Sequence, residues 1–140
     1  MEQSITVDID APASRVWAIL SDAERWPEWT ETVRSVTLHD GVLRLGATAT
    51  IDQPRLPTVR WTVTRFTEGH EFTWESGGPG ARTVAHHRVE GTGPGRCRLR
   101  LSVSQSGVVG SLVGRLYRGL TDRYLAIEAA GLKARAESAG

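Results

Sequence analysis

The adjacent pair His86 and His87 is where the sequence offers proton chemistry or metal binding. In an extended strand successive side chains leave opposite faces, so two neighbouring imidazoles cannot close on one ion. His87 shares its face with Ala85 and Val89, which makes it the inward candidate for proton transfer or ligand contact, with His86 outward. Gln105 continues the face of Leu99, Leu101 and Val103, and that places a polar amide near the mouth of any interior space. Tyr117 and Tyr124 are the two phenols of the chain, the first on the flank of an apolar helical stripe and the second within it.

Other apparent motifs reduce to simpler readings. Gly91-Thr92-Gly93-Pro94-Gly95 has the composition of a phosphate loop, but a strand pattern follows it, and a phosphate cradle needs a helix N-terminus there. In Gly110-Ser111-Leu112-Val113-Gly114 the serine is second, not third, which breaks the order of a nucleophile elbow. Cys97 lies on an apolar strand face with no partner in the sequence, so packing is its expected role. No His, Cys, Asp or Glu residues have the spacing of a zinc site, and neither a metal nor a cofactor is expected. Five tryptophans, Trp17, Trp26, Trp29, Trp61 and Trp74, each call for a large buried surface or a ligand to lie against.

Strands must position most of these residues. Residues 4–10 alternate strictly, with Ile5, Val7 and Ile9 on one side. Pro12 then suits the first turn of a short helix carrying Val16, Trp17, Ile19 and Leu20. Ser21 and Glu24 have the spacing of a capping box, which predicts a second short helix broken near Pro27. From 33 to 106 the pattern is a meander of strands over 33–39, 48–53, 59–66, 71–76, 83–89 and 97–105, joined by Gly- and Pro-rich turns. Neighbours so joined are expected to pair as hairpins. Over about 108–136, Val109, Leu112, Val113, Leu116, Leu120, Tyr124 and Ile127 recur at helical spacing, with Arg115, Arg118, Asp122, Arg123 and Glu128 mainly opposite. No other helix is long enough to cover that stripe, so it is expected to pack on the sheet.

Composition bounds the function. At 140 residues, 39% hydrophobic and 24% charged, the chain fits one globular domain spanning 1–140. A net charge of +1 gives no overall electrostatic case for nucleic acid or an anionic membrane, and no apolar run is long enough for integral membrane association. The lone cysteine and the absence of a charged-then-apolar leader after Met1 point to a cytoplasmic location. A monomer or a homodimer is expected.

The order of elements, together with Ile9-Asp10-Ala11-Pro12, Val16-Trp17, Ser21-Asp22 and Trp29, resembles the SRPBCC (START/Bet v 1-like) superfamily, and within it the bacterial polyketide cyclase/dehydrase and lipid-transport group. Trp61-Thr62-Val63, Phe72-Thr73-Trp74, His87 and the helix-opening Gly107 are similar to the same group, so the likeness runs along nearly the whole chain. It implies an α+β helix-grip fold: a curved antiparallel sheet of about seven strands around a long C-terminal helix, with two short helices after the first strand. The implied function is binding or carriage of a small hydrophobic molecule, lipid-like or an aromatic polyketide, between sheet and helix. Its expected cavity is lined by Trp29, Trp61, Val63, Phe72, Trp74, His87, Leu101, Gln105, Leu116, Tyr117 and Leu120. A cofactor-independent cyclase or dehydratase is the alternative the resemblance implies, with His87, Tyr117, Arg65 and Gln105 as candidate polar groups. A protein-interaction module of the co-chaperone activator type is a third, which would require an exposed apolar patch that the sequence does not single out.

Overall fold

Period-two alternation fixes most of the molecule. The computed structural model describes residues 2–138 and contains one seven-stranded antiparallel sheet. Its strands are β1 (Glu2–Ile9), β2 (Ser35–Leu38), β3 (Thr48–Asp52), β4 (Val59–Thr67), β5 (Glu71–Gly78), β6 (Ala81–Gly93) and β7 (Arg96–Ser106). They lie in the order β1-β7-β6-β5-β4-β3-β2, so β2 to β7 form the expected meander and β1 returns to pair with β7. Helix α1 (Ala13–Ser21) and a 3-10 helix (Ala23–Glu28) follow β1; α2 (Val108–Leu116) and α3 (Arg118–Ser138) follow β7. This is the helix-grip arrangement.

Three local expectations change. Pro12 stands one step before α1, where its carbonyl accepts the amide protons of Arg15 and Val16. Ser21 and Glu24 form no capping box; Glu24 reaches away, and its Oε2 accepts the Leu38 amide at 3.0 Å. The helix expected over 108–136 is divided at Tyr117, which has left helical geometry (φ −98°, ψ 11°) and separates α2 from α3.

The division changes which face packs. In α2 the buried residues are Gly110 and Gly114, while Val108, Val109, Leu112, Val113 and Leu116 are exposed, so the apolar stripe of this segment does not pack on the sheet. Gly107 starts the turn at φ 87°, and the Val109 and Gly110 amides both donate to the Gly80 carbonyl at 2.9 Å, which ties α2 to the β5–β6 turn. In α3 the buried residues are Leu125, Ala129, Leu132 and Ala136. Gln3 Nε2 holds the start of α3 by donating to the Arg118 carbonyl (2.8 Å) and Asp122 Oδ1 (2.7 Å). Lys133 Nζ donates to the Asp8 carbonyl at 2.6 Å and anchors its far end to β1.

The core lies between sheet, α1, the 3-10 helix and α3. At its centre Phe72 and His87, directly opposite on β5 and β6, stack at 4.1 Å with rings 8° apart. Trp26 and Trp74 close around them, with ring centroids 5.4 Å apart. Such pairs add about 0.5–1.5 kcal/mol each beyond the area they bury.

Candidate functional site

The strand residues expected to face inward do so for the most part. Val63, Phe72, Trp74, His87 and Leu101 are buried, and Trp61 is half-buried beside Trp74 at 5.8 Å. Arg65 does not join them. A bulge between Val63 and Arg65 inserts Thr64, so Val63 opposes Trp74 while Arg65 opposes Thr73 on the outer face. There Arg65 is exposed, 3.8 Å from Glu71, beside a groove lined by Thr73, His86, Arg88, Arg100 and Ser102. His86 bonds Thr73 Oγ1 at 2.9 Å.

His87 is held among aromatic rings, with its Nδ1 3.3 Å from the Phe72 carbonyl that accepts its proton. Burial drives its pKa from 6.5 down to about 3, so the ring is neutral near pH 7. A group poised for proton transfer needs a pKa near the working pH, and His87 lacks one.

Helix α3, the β3–β4 loop and the segment after the 3-10 helix border a groove of about 310 Å³. Leu120, Arg123, Tyr124 and Ile127 line it from α3, Pro54 and Arg55 from the loop, and Glu31 and Thr32 from the third side. The Tyr124 hydroxyl donates to the Pro54 carbonyl and straps the loop to the helix. Leu120 therefore belongs to this wall, Tyr117 stands half-buried at the break above it, and Leu116 is exposed, outside any cavity. Gln105 lies beneath α2; a Cβ on Gly114 would come within 2.4 Å of its Oε1, so the glycine admits the amide.

Beside the groove is a residue the sequence pattern had turned outward. Glu128 points inward, and its Oε2 accepts the Thr32 hydroxyl at 2.8 Å, while Thr30 and Thr32 share a further bond at 2.9 Å. With the Thr32 proton committed to Glu128, Thr30 is the donor in that second bond. The residue reaches the surface in part, but its carboxyl is enclosed, and desolvation raises its pKa from 4.5 to about 7 against the opposing pull of Thr32. A carboxyl at that value holds or releases a proton near neutrality. The apolar spacing carries no signal for it, since that stripe is exposed along α2 and Glu128 turns inward beside the α3 residues that line the groove.

The indoles divide likewise. Trp17 Nε1 donates to Glu68 Oε1 at 3.0 Å and Trp26 Nε1 to the Leu20 carbonyl at 2.9 Å. Trp29 Nε1 and Trp61 Nε1 are buried with no acceptor among the described residues. Leaving a buried donor unpaired costs about 1–3 kcal/mol, so two in one core are a strong demand for an acceptor from elsewhere. Trp29 is pressed against α3: a Cβ at Gly131 would stand 2.1 Å from its carbonyl oxygen, so only glycine allows this approach.

An interior with unpaired donors and a proton-active carboxyl is consistent with what sequence comparison finds. The family described as polyketide cyclase/dehydrase and lipid transport matches residues 2–137. The chain belongs to this family. Among solved structures it is similar to a START superfamily protein from Mycobacterium smegmatis (20% identity, TM-score 0.75, 99% of each chain covered). It is similar also to the Zhui aromatase/cyclase from Streptomyces sp. R1128 (15% identity, TM-score 0.78, covering 98% of this chain and 93% of that one). A third is norcoclaurine synthase from Thalictrum flavum, at 14% identity, TM-score 0.75, and 99% and 94% coverage. At these identities the likeness establishes a common fold. No curated protein matches the sequence. Membership in the family supports a ligand-binding or cyclase role. Among the described residues no helix is long and apolar enough to cross a membrane, and no cluster of three or more His, Cys, Asp or Glu is placed to hold a metal ion.

Proposed function

We propose that the protein binds a small, largely hydrophobic molecule carrying at least one hydrogen-bond acceptor, held between the sheet and α3. The observation that carries this reading is the pair of buried indole N–H groups, Trp29 Nε1 and Trp61 Nε1, left without acceptors among the described residues of an apolar interior. A ligand carbonyl or ether oxygen would satisfy either donor, and the surrounding rings would take its apolar body. The groove of Leu120, Tyr124 and Ile127 is the proposed way in, with the Tyr124–Pro54 strap across it. Native mass spectrometry of the purified protein, followed by extraction, tests the reading directly: a co-purifying apolar molecule with oxygen acceptors is expected. In titration with 2-acetylnaphthalene, Trp61→Phe should weaken binding about fivefold by removing a hydrogen bond while keeping a ring. Equal affinity of the wild type, Trp29→Phe and Trp61→Phe would contradict it.

A second reading has its own observation. Glu128, with a pKa of about 7 and a Thr32–Thr30 hydroxyl chain behind it, fits a cyclase-type enzyme in which one carboxyl moves a proton on the bound molecule. It requires turnover that Glu128→Gln abolishes and Glu128→Asp partly retains. Full turnover by the glutamine variant would exclude it.

A further inference from the structure

Helix α2 is amphipathic with its apolar side outward. Its sheet-facing residues are glycines, and they leave no choice of orientation. A Cβ on Gly110 would come within 3.2 Å of the Ala81 backbone, and one on Gly114 within 2.4 Å of Gln105. Large side chains cannot occupy those positions, so the helix cannot roll to bury its valines and leucines. The two bonds to Gly80 hold it in this setting. Val108, Val109, Leu112, Val113 and Leu116 are consequently 36–88% exposed, a run of apolar residues on one helix, with Val42 and Leu45 the other exposed large aliphatic residues among those described. Patches of this kind mark an interaction surface.

Charge decides the partner. Residues 91–121 contain five arginines and no carboxylate, and three of the five, Arg96, Arg98 and Arg100 on β7, are paired with Asp10, Asp8 and Glu2. The remaining two, Arg115 in the last turn of α2 and Arg118 at the first residue of α3, bracket Leu116 at the end of the apolar face. The nearest acidic residue on the same helical run, Asp122, already accepts the Gln3 amide. A second copy docked through this face by two-fold symmetry would bring like charges together with no carboxylate on α2 to answer them. An anionic lipid surface fits both features, since arginines can rest among phosphates while the aliphatic side chains enter the headgroup boundary.

We propose that α2 is a peripheral docking element for membranes containing anionic lipid, lying flat with Leu112 and Leu116 inserted and Arg115 and Arg118 at the headgroups. This is independent of what occupies the groove.

Co-sedimentation with vesicles of phosphatidylcholine alone, and of equimolar phosphatidylcholine and phosphatidylglycerol, tests it at low ionic strength. The 140-residue chain is expected to bind the mixed vesicles and to release from them with added salt. Leu112→Ser/Leu116→Ser should weaken that binding at least about tenfold, while circular dichroism shows an intact fold, because both side chains are exposed. Arg115→Gln and Arg118→Gln should each weaken it about fivefold. Absence of binding to either vesicle would overturn the proposal, as would equal binding to both. So would a dimer in sedimentation velocity that the leucine substitutions dissolve while vesicles remain unbound, which would assign the face to a second copy.

Discussion

Two sets of interior residues are built on opposite terms. In the first, Phe72, His87, Trp26 and Trp74 fill the centre, and the indoles of Trp17 and Trp26 have acceptors. In the second set, Trp29, 6.1 Å from Trp26, and Trp61, 5.8 Å from Trp74, carry buried N–H groups with no acceptor among the described residues, while Glu128 on α3 holds an enclosed carboxyl bonded to Thr32 at the wall of a groove of about 310 Å³. The same kinds of residue build both. What differs is whether polar atoms are satisfied from within the chain, and that difference separates a region built for stability from one that needs something bound.

Truncation in the packed centre and on exposed α2 should differ most in its cost. Phe72→Ala removes a fully buried ring and should cost about 3–5 kcal/mol in urea denaturation, whereas Leu116→Ala, exposed on α2, should stay within about 0.5 kcal/mol. Comparable losses at both positions would mean that α2 packs in solution.

The strand face was legible in the sequence because a period of two needs no tertiary information: Val63, Phe72, Trp74, His87 and Leu101 follow from alternation and are buried. Arg65 was not, since a one-residue bulge at Thr64 inverts the alternation and nothing in the pattern marks it. On the C-terminal segment the apolar spacing announces a helix but not the side that packs. Gly110 and Gly114 chose that side in α2 by permitting close approach, and the break at Tyr117 separated it from α3. Glu128, Thr30 and Thr32 meet from positions almost a hundred residues apart, which local spacing cannot reveal.

The two buried titratable groups sharpen the comparison. Glu128 has a folded-state pKa of about 7 against 4.5 unfolded, so its protonated form is favoured by folding: this contribution is present below pH 4.5 and lost as pH rises through 7. His87, at about 3 against 6.5, behaves oppositely: its contribution is present above pH 6.5 and lost as pH falls toward 3. Between pH 4.5 and 6.5 the slopes cancel, and stability should be nearly flat. Glu128→Gln should remove one slope, leaving stability that falls as pH drops below 6.5, and should stabilise the protein by about 2–3 kcal/mol at pH 8. An unchanged pH profile in the glutamine variant would show that the carboxyl is solvated.

A smaller contrast concerns two glycines of α3. Gly131→Ala, with its Cβ 2.1 Å from the Trp29 carbonyl, should destabilise by about 1–3 kcal/mol. Gly119→Ala meets nothing within 4 Å and should gain up to about 1 kcal/mol from helix propensity. Thermal denaturation distinguishes the two signs.

The most direct measurement is the indole region of a ¹H–¹⁵N correlation spectrum during titration with 2-acetylnaphthalene, with Trp29 and Trp61 assigned by their phenylalanine variants. If these two donors serve a ligand, the Trp29 or Trp61 N–H resonance should move downfield as its acceptor arrives, while the N–H groups of Trp17 and Trp26 keep their acceptors and shift least. Saturable binding that leaves both Trp29 and Trp61 unmoved would contradict the assignment of these donors to a ligand.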